Sequence, residues 1–480
     1  MNSFDSQKNN SRRSFLQSSA CGFGSLALNA LIQQQAAGRQ ASPTSSPSPL
    51  AAKQTHFPAR AKRIVFLFMQ GGPSQIDLFD YKPELARRSG KVLPYNLPEI
   101  EATVGLENTR LLGPTSEFWH QGECGLYMSN LLPYTARHAD NLCILRGMQA
   151  DSPNHPVAIR QLHTGNILDV VPSMGAWLSY GLGTENQQLP SYITIIPGEG
   201  ERNFGSAFLP AIHQGTAIQH VGSSPDKAPI RHLTDSSISK DVQRRRIDLI
   251  QSMNRRQLNR LETDQQMEGV IESFELAFRM QTETPGLVDL SSESKSTLDL
   301  YGIGDSATDT FGRQCLLARR FAEAGVRFVQ VSLNGWDHHG KIAEGLRKEC
   351  LTCDKPVAGL LTDLKARGLL EDTLVVWGGE FGRTPHTQQN NGASQAPGRE
   401  HNHHGFTMWM AGGGVKGGMT HGSTDHFGYH AVDGKVHIND LHATMLHLMG
   451  LDHERLTFEH HGRPFRLTDV AGNVVNEVLA

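Results

Sequence analysis

No stretch of this chain approaches the roughly 20 consecutive apolar residues that a membrane-spanning helix needs. The longest mildly apolar run, about Cys21 to Ile32, is short and broken by glycine, which argues against a permanent membrane span. An excess of charge is missing too. The 480 residues carry 45 basic and 48 acidic groups, a formal charge of −3, so the overall balance gives no grip on nucleic acid or an anionic membrane surface. Cysteine is scarce, at six. If Cys21 leaves with an N-terminal segment, Cys124, Cys143, Cys315, Cys350 and Cys353 remain. An odd number excludes a pure disulfide framework, although one or two bridges would fit. Cys350 and Cys353 stand in "ECLTC" before a helical pattern. Helix packing explains them better than zinc, because no second CxxC completes a zinc set.

Histidine is what the chain has in quantity: 23, against 8 tyrosines and 5 tryptophans. Nine of these lie from His421 to His461, and His401, His403 and His404 stand close before them. Imidazole enrichment points towards metal or acid–base chemistry.

The N-terminal segment has its own pattern. Arg12 and Arg13 precede Phe15 and Leu16, then the mildly apolar run with its small-residue tail. This resembles a twin-arginine export signal, assigned to residues 1–37. A Pro/Ser-rich linker follows over 38–62, and the folded part is expected from near Arg63. The protein is therefore expected to be exported, to the periplasm or the cell surface.

Six apolar, β-rich runs read as buried strands: "RIVFLFM", "NLCILRG", "SYITIIP", "VRFVQVSL", "TLVVWGG" and "FTMWMAG". Helical patterns alternate with them, two ending in glycine stops at Gly325 and Gly450. This alternation predicts an α/β fold, a mostly parallel sheet with helices on both faces. Residues 233–283 are highly charged and predict one or two long exposed helices inserted between strands.

Polar residues collect directly after the strands. In open α/β sheets ligands bind beyond the carboxyl ends of strands. Four such loops would bring Gln70, Ser74, Asp77, His155, Asp337, His338, His339, Glu380 and Arg383 to one edge. The sixth strand, if it runs antiparallel as edge strands often do, adds His401 from "GREHNHHG". Asp, Glu and neutral His are the ligand set of zinc or another divalent ion. Asp337 and His339 are two apart, so in an extended segment they point the same way. Arg383 would hold an anion bidentately or pair with Glu380. "AGGGVKGG" lacks phosphate-loop spacing and reads as a flexible turn. The late histidines are either loop residues or a second metal cluster.

"MQGGPSQIDLFDYKP", "GWDHHG", "GGEFGRTP", "GREHNHHGFTMWMAGGGVKGG" and "GRPFRLTDVAG" together resemble the bacterial domain-of-unknown-function family 1501, from about Arg63 to the C-terminus. The resemblance implies twin-arginine export and an alkaline phosphatase-like, sulfatase-like mixed sheet with metal at its carboxyl edge. It places Asp337, His339 and His401 as ligands of one divalent metal, zinc or calcium-like. At a second metal position Glu380 replaces an Asp and Phe381 a His, and Gln70 stands where the first strand normally ends in a metal-binding Asp. In "SPNHPVAIRQLHTG", His155 occupies the place of the sulfatase nucleophile. The implied function is a metal-dependent hydrolase of sulfate or phosphate esters, acting on a small-molecule or glycan ester, with an altered nucleophile site. His155 or Ser74 would substitute for the nucleophile and Arg383 would hold the anion. The alternative is a non-hydrolytic binding protein that keeps the fold.

Overall fold

The run "RIVFLFMQ" forms β1, Arg63–Gln70, in the middle of a nine-stranded sheet. Side chains of a strand alternate between its faces. Val65, Leu67 and Met69 enter one hydrophobic core, and Ile64, Phe66 and Phe68 enter another on the opposite face. A strand buried on both sides must be apolar throughout, which is why the run does not alternate in sequence. Full burial of each large apolar side chain contributes about 1.5–3 kcal/mol.

The structure, a computed structural model, describes residues 48–94, 109–198, 200–221, 239–261, 265–387 and 396–480. The expected export signal (1–37), residues 38–47 of the expected linker and 233–238 of the expected insertion lie outside the described residues. Residues 49–62, also assigned to the linker, are tied to the domain. Leu50 is buried, Lys53 N–H donates to Leu182 O at 3.0 Å, and Arg60 N–H donates to Leu448 O at 2.9 Å.

The other strands of the sheet and of the ribbon beside the site are β2 (Leu142–Gln149), β3 (Tyr192–Ile195), β4 (Thr216–Ile218), β5 (Phe328–Asn334), β6 (Thr373–Gly378), β7 (Gly382–Thr387), β8 (Arg399–Asn402), β9 (Phe406–Ala411), β10 (Met419–His421) and β11 (Val436–His437). The sheet runs β10-β2-β9-β6-β1-β5-β3-β4, with β11 also on β2. Every pairing is parallel except those of β9 with β2 and β6. All six expected strands are present, and the sheet is mixed and mostly parallel. β9 is antiparallel as expected but interior rather than at an edge, in keeping with its six buried residues. β7 and β8 form a separate antiparallel ribbon that sets His401 opposite Arg383.

Helices α1 (His155–Thr164), α2 (Met174–Leu182), α3 (Lys240–Leu261), α4 (Gln265–Val288), α5 (Asp309–Glu323), α6 (Ile342–Ala366) and α7 (Ile438–Leu448) are the main ones. α5 and α6 feed one core through Phe311, Leu316, Leu346 and Leu360, while α1, α2 and α7 feed the other through Ile159, Trp177 and Leu441. The sheet therefore carries helices on both faces. Cys350 and Cys353 are buried on α6, and all five cysteines of the described residues are free. Burial pushes both thiols well up, which suits packing rather than reactivity. The insertion helices are not wholly exposed: Leu276 and Met280 of α4, four apart, are buried in a core. Among the described residues no helix is long and apolar enough to cross a membrane.

Candidate metal centre

β1, β5 and β6 end level with one another, with Gln70 beside Asn334 and Phe68 beside Gly378. The loops that follow therefore meet at one edge. Gly71, with φ +117°, lets the first loop lie against the second. A Cβ there would come within 2.6 Å of Asp337 N, and the φ itself is one that L residues rarely adopt. Trp336 is fully buried and its backbone N–H donates to Gln70 O at 3.3 Å, which anchors the loop just before Asp337.

Asp337 Oδ1 is the hub of the site. His339 Nε2 lies 2.8 Å from it, His401 Nε2 3.2 Å, His155 Nε2 3.3 Å and an Arg383 terminal nitrogen 2.6 Å. One ligand atom from each of His155, Asp337, His339 and His401 lies within 4.8 Å of the other three. Burial would raise the Asp337 carboxyl. Hydrogen bonds from the three imidazoles and the charge of Arg383 outweigh it and hold the group far below the usual carboxylate range.

Four nitrogens crowd one oxygen, which two lone pairs cannot serve equally. A divalent ion binds such atoms at about 2.0–2.2 Å, which sets neighbouring ligands about 3–3.5 Å apart. The three imidazole nitrogens lie 2.8–3.3 Å from Asp337 Oδ1, close to that spacing, and all four ligand atoms lie within 4.8 Å of one another. His155 Nε2 is buried, with Asp337 Oδ1 at 3.3 Å as a poorly aligned neighbour that does not fully satisfy it. The donor set therefore fits a divalent ion.

His155 is held from behind. Its Nδ1–H donates to Glu380 Oε1 at 2.6 Å, and Glu380 is fully buried, accepting from Gly71 N–H at 3.0 Å. A carboxylate on one imidazole nitrogen leaves the other free as a ligand and fixes the ring. Burial disfavours a charge on His155, but the hydrogen bonds and charges of Asp337 and Glu380 prevail and raise its pKa to about 9. His401 goes the other way: burial, with the charges of Arg383 and His155, lowers it despite Asp337. Phe381 packs on both rings, 4.7 Å from His155 and 4.6 Å from His401.

The family model described as "Protein of unknown function (DUF1501)" covers residues 61–479. The chain belongs to the DUF1501 family. No curated protein matches it. Solved structures similar to this DUF1501 chain include the PsFucS1 sulfatase from Pseudoalteromonas sp., at 14% identity over 88% of this chain and 72% of that one, TM-score 0.34. The lipoteichoic acid synthase LtaP from Listeria monocytogenes is 9% identical over 90% and 80%, TM-score 0.35. The alkaline phosphatase from the Antarctic bacterium TAB5 is 10% identical over 81% and 98%, TM-score 0.32.

In this DUF1501 member the expected ligands Asp337, His339 and His401 come together. Glu380 does not join them; it stands behind His155, which takes the fourth place. Arg383 is fully buried and donates to Gly72 O at 2.9 Å, Arg399 O at 3.2 Å and the Gly71 carbonyl as well as Asp337, so its guanidinium is committed to the protein rather than free for an anion. Ser74 is buried and donates to Asp77 Oδ2 at 2.5 Å, while Asp77 pairs with buried Arg399 at 2.8 Å. Ser74 thus belongs to an internal ion-pair network. Gln70 turns towards Gly198, where an added Cβ would meet its Oε1 at 1.8 Å. His338 stays out of the group, and burial, with the charge of Arg383, lowers its pKa to about 4. Among the described residues the late histidines form no second group of metal-ligating side chains. His437 caps α7 and His442 Nε2–H donates to Leu162 O at 2.8 Å. Glu400 escaped the sequence reading. Its Oε1 lies 3.6 Å from His339 Nδ1 and 3.8 Å from His401 Nδ1. Its place directly before His401 was the signal for it.

Proposed function

We propose that this chain is an exported, metal-dependent hydrolase of sulfate or phosphate esters, small-molecule or glycan. One observation carries the reading: three imidazole nitrogens and Arg383 converge on Asp337 Oδ1 in a spacing that suits a bound divalent ion. His155, His339 and His401 would present Nε2, and Asp337 an oxygen. Imidazole-rich sites favour zinc or another first-row ion over calcium. When bound, such an ion supplies Lewis acidity and a water acidic enough to attack near neutral pH.

The chain's own groups do the rest. Glu380 keeps the His155 proton on Nδ1 and its Nε2 lone pair on the site. Arg383 fixes the Asp337 carboxylate instead of gripping the substrate. Glu400, partly exposed, places a carboxylate 3.6 Å from His339 Nδ1 and 3.8 Å from His401 Nδ1. His155 stands where the family resemblance places a nucleophile, so a covalent enzyme ester on Ser, Thr or Cys is not part of the reading. Twin-arginine export belongs to the same proposal and rests on Arg12, Arg13 and the run after them.

The second reading, a non-hydrolytic binding protein with one structural metal, draws on the commitment of Arg383 to main-chain carbonyls. Elemental analysis of the purified protein and turnover of aryl phosphate and aryl sulfate, each for wild type and His401→Ala, separate the two. Bound metal with turnover lost in the variant supports the hydrolase. Bound metal without turnover supports the binding protein, and a metal-free protein from metal-replete growth sinks both.

A further inference from the structure

The overall charge of −3 hides a strongly basic helix. Seven basic and two acidic residues leave α3, "KDVQRRRIDLIQSMNRRQLNRL", at +5. Its inner side buries Ile247 and Gln251, 9% and 2% exposed. On the opposite side Leu249 and Met253 stand one turn apart, 54% and 62% exposed, with Arg245 one turn before Leu249. On α4, Phe274 is 43% exposed.

The local acids do not neutralise this face. Glu275 and Asp248 both pair with Arg244, at 2.8 and 2.5 Å, and Glu272 pairs with Arg279 at 3.5 Å. Arg245 and Arg246 are exposed, with no acidic partner among the described residues. Beside Arg246 opens a groove of about 570 Å³, lined by Ile212, Ile247, Ile250, Phe274, Leu276 and Met280. Its volume falls within the roughly 300–1,000 Å³ of small-molecule sites.

We propose that this surface is a peripheral docking site for an anionic phospholipid bilayer. Arg245 and Arg246 meet the headgroup phosphates, and Leu249 and Met253 enter the headgroup layer. Exposed apolar side chains on one helix, beside arginines with no acidic partner among the described residues, are the pattern that lies in a membrane interface. A nucleic-acid duplex would use the arginines but leave Leu249 and Met253 in water. The proposal is independent of the metal centre.

Flotation of the purified full chain with vesicles tests it. One set is phosphatidylcholine alone and the other contains added phosphatidylglycerol, each at low and high salt. The expected result is flotation only with phosphatidylglycerol, weakened by salt. Arg245→Glu with Arg246→Glu should lower binding roughly tenfold or more. Leu249→Ser with Met253→Ser should lower it without removing the salt dependence. All four side chains are exposed, and an unchanged melting curve verifies the fold of each variant. Absence of flotation, equal flotation on both vesicle types, binding that survives the charge reversal, or capture of duplex DNA in preference to vesicles would overturn the proposal.

Discussion

His155 Nδ1 lies 2.6 Å from Glu380 Oε1, and the other nitrogen of the same ring lies 3.3 Å from Asp337 Oδ1. Two loops 225 residues apart in sequence are joined by this contact. A buried carboxylate on one imidazole nitrogen fixes the ring and leaves the other nitrogen facing Asp337.

Glu380→Gln tests this coupling directly. The amide keeps the volume but loses the charge-assisted bond to Nδ1–H. We expect metal affinity, measured by competition with a chromophoric chelator, to fall about 10–100-fold. The His155 pKa, raised to about 9 in the metal-free protein, should fall as one of its two carboxylate partners disappears. Unchanged affinity in a folded variant would mean that Glu380 does not orient a ligand.

Chelation offers a second test. A ligand that binds only the folded state stabilises it in proportion to RT ln(1 + [L]/Kd). Stripping the wild type with a chelator should therefore lower Tm, and Asp337→Ala should show no further drop on chelation. A chelator-sensitive Asp337→Ala would place the bound ion elsewhere.

Ser74 separates a catalytic from a structural role. It donates to Asp77, whose pairing with Arg399 is fully buried on both sides. Ser74→Ala should cost about 1 kcal/mol of stability and leave turnover within about twofold. Asp77→Ala should cost about 3–5 kcal/mol, since it strands a buried guanidinium. Denaturant melts read the first effect and ester turnover the second; abolished turnover in a folded Ser74→Ala would restore Ser74 as a nucleophile.

The sheet was legible because strands buried on both faces must be continuous apolar runs, and all six stand out between glycines and polar loops. The meeting of Asp337, His339 and His401 was legible for a related reason: strand ends gather at one edge, and a spacing of two sends side chains the same way. What was not legible is partner choice. Nothing in "GGEFGRTP" tells that Arg383 is fully buried among carbonyls, because those carbonyls come from Gly71, Gly72 and Arg399. Nothing near Ser74 announces Arg399, which reaches Asp77 across 322 residues. Leu50, in a Pro/Ser-rich stretch, gave no sign of its burial.

Two buried histidines away from the site make the fold sensitive to acid. Burial lowers His442 to about 4 and, with the charge of Lys53, lowers His213 to about 3. Both are nearly inaccessible, at 1% and 2% exposure. In the unfolded chain each titrates near the ordinary value of about 6.5. Between that pH and the folded value the unfolded state holds more protons, so stability falls as pH falls. The loss starts near pH 6.5 and levels off only near pH 4 for His442 and pH 3 for His213, on the order of 3 kcal/mol each by pH 4. His442→Gln supplies an amide N–H that can replace the bond to Leu162 O and removes the titration. Its stability at pH 7 should be lower than that of wild type, but its decline between pH 6.5 and 4, from urea melts at each pH, should be shallower. A variant whose decline is as steep as the wild type's would show that His442 does not hold the acid limb.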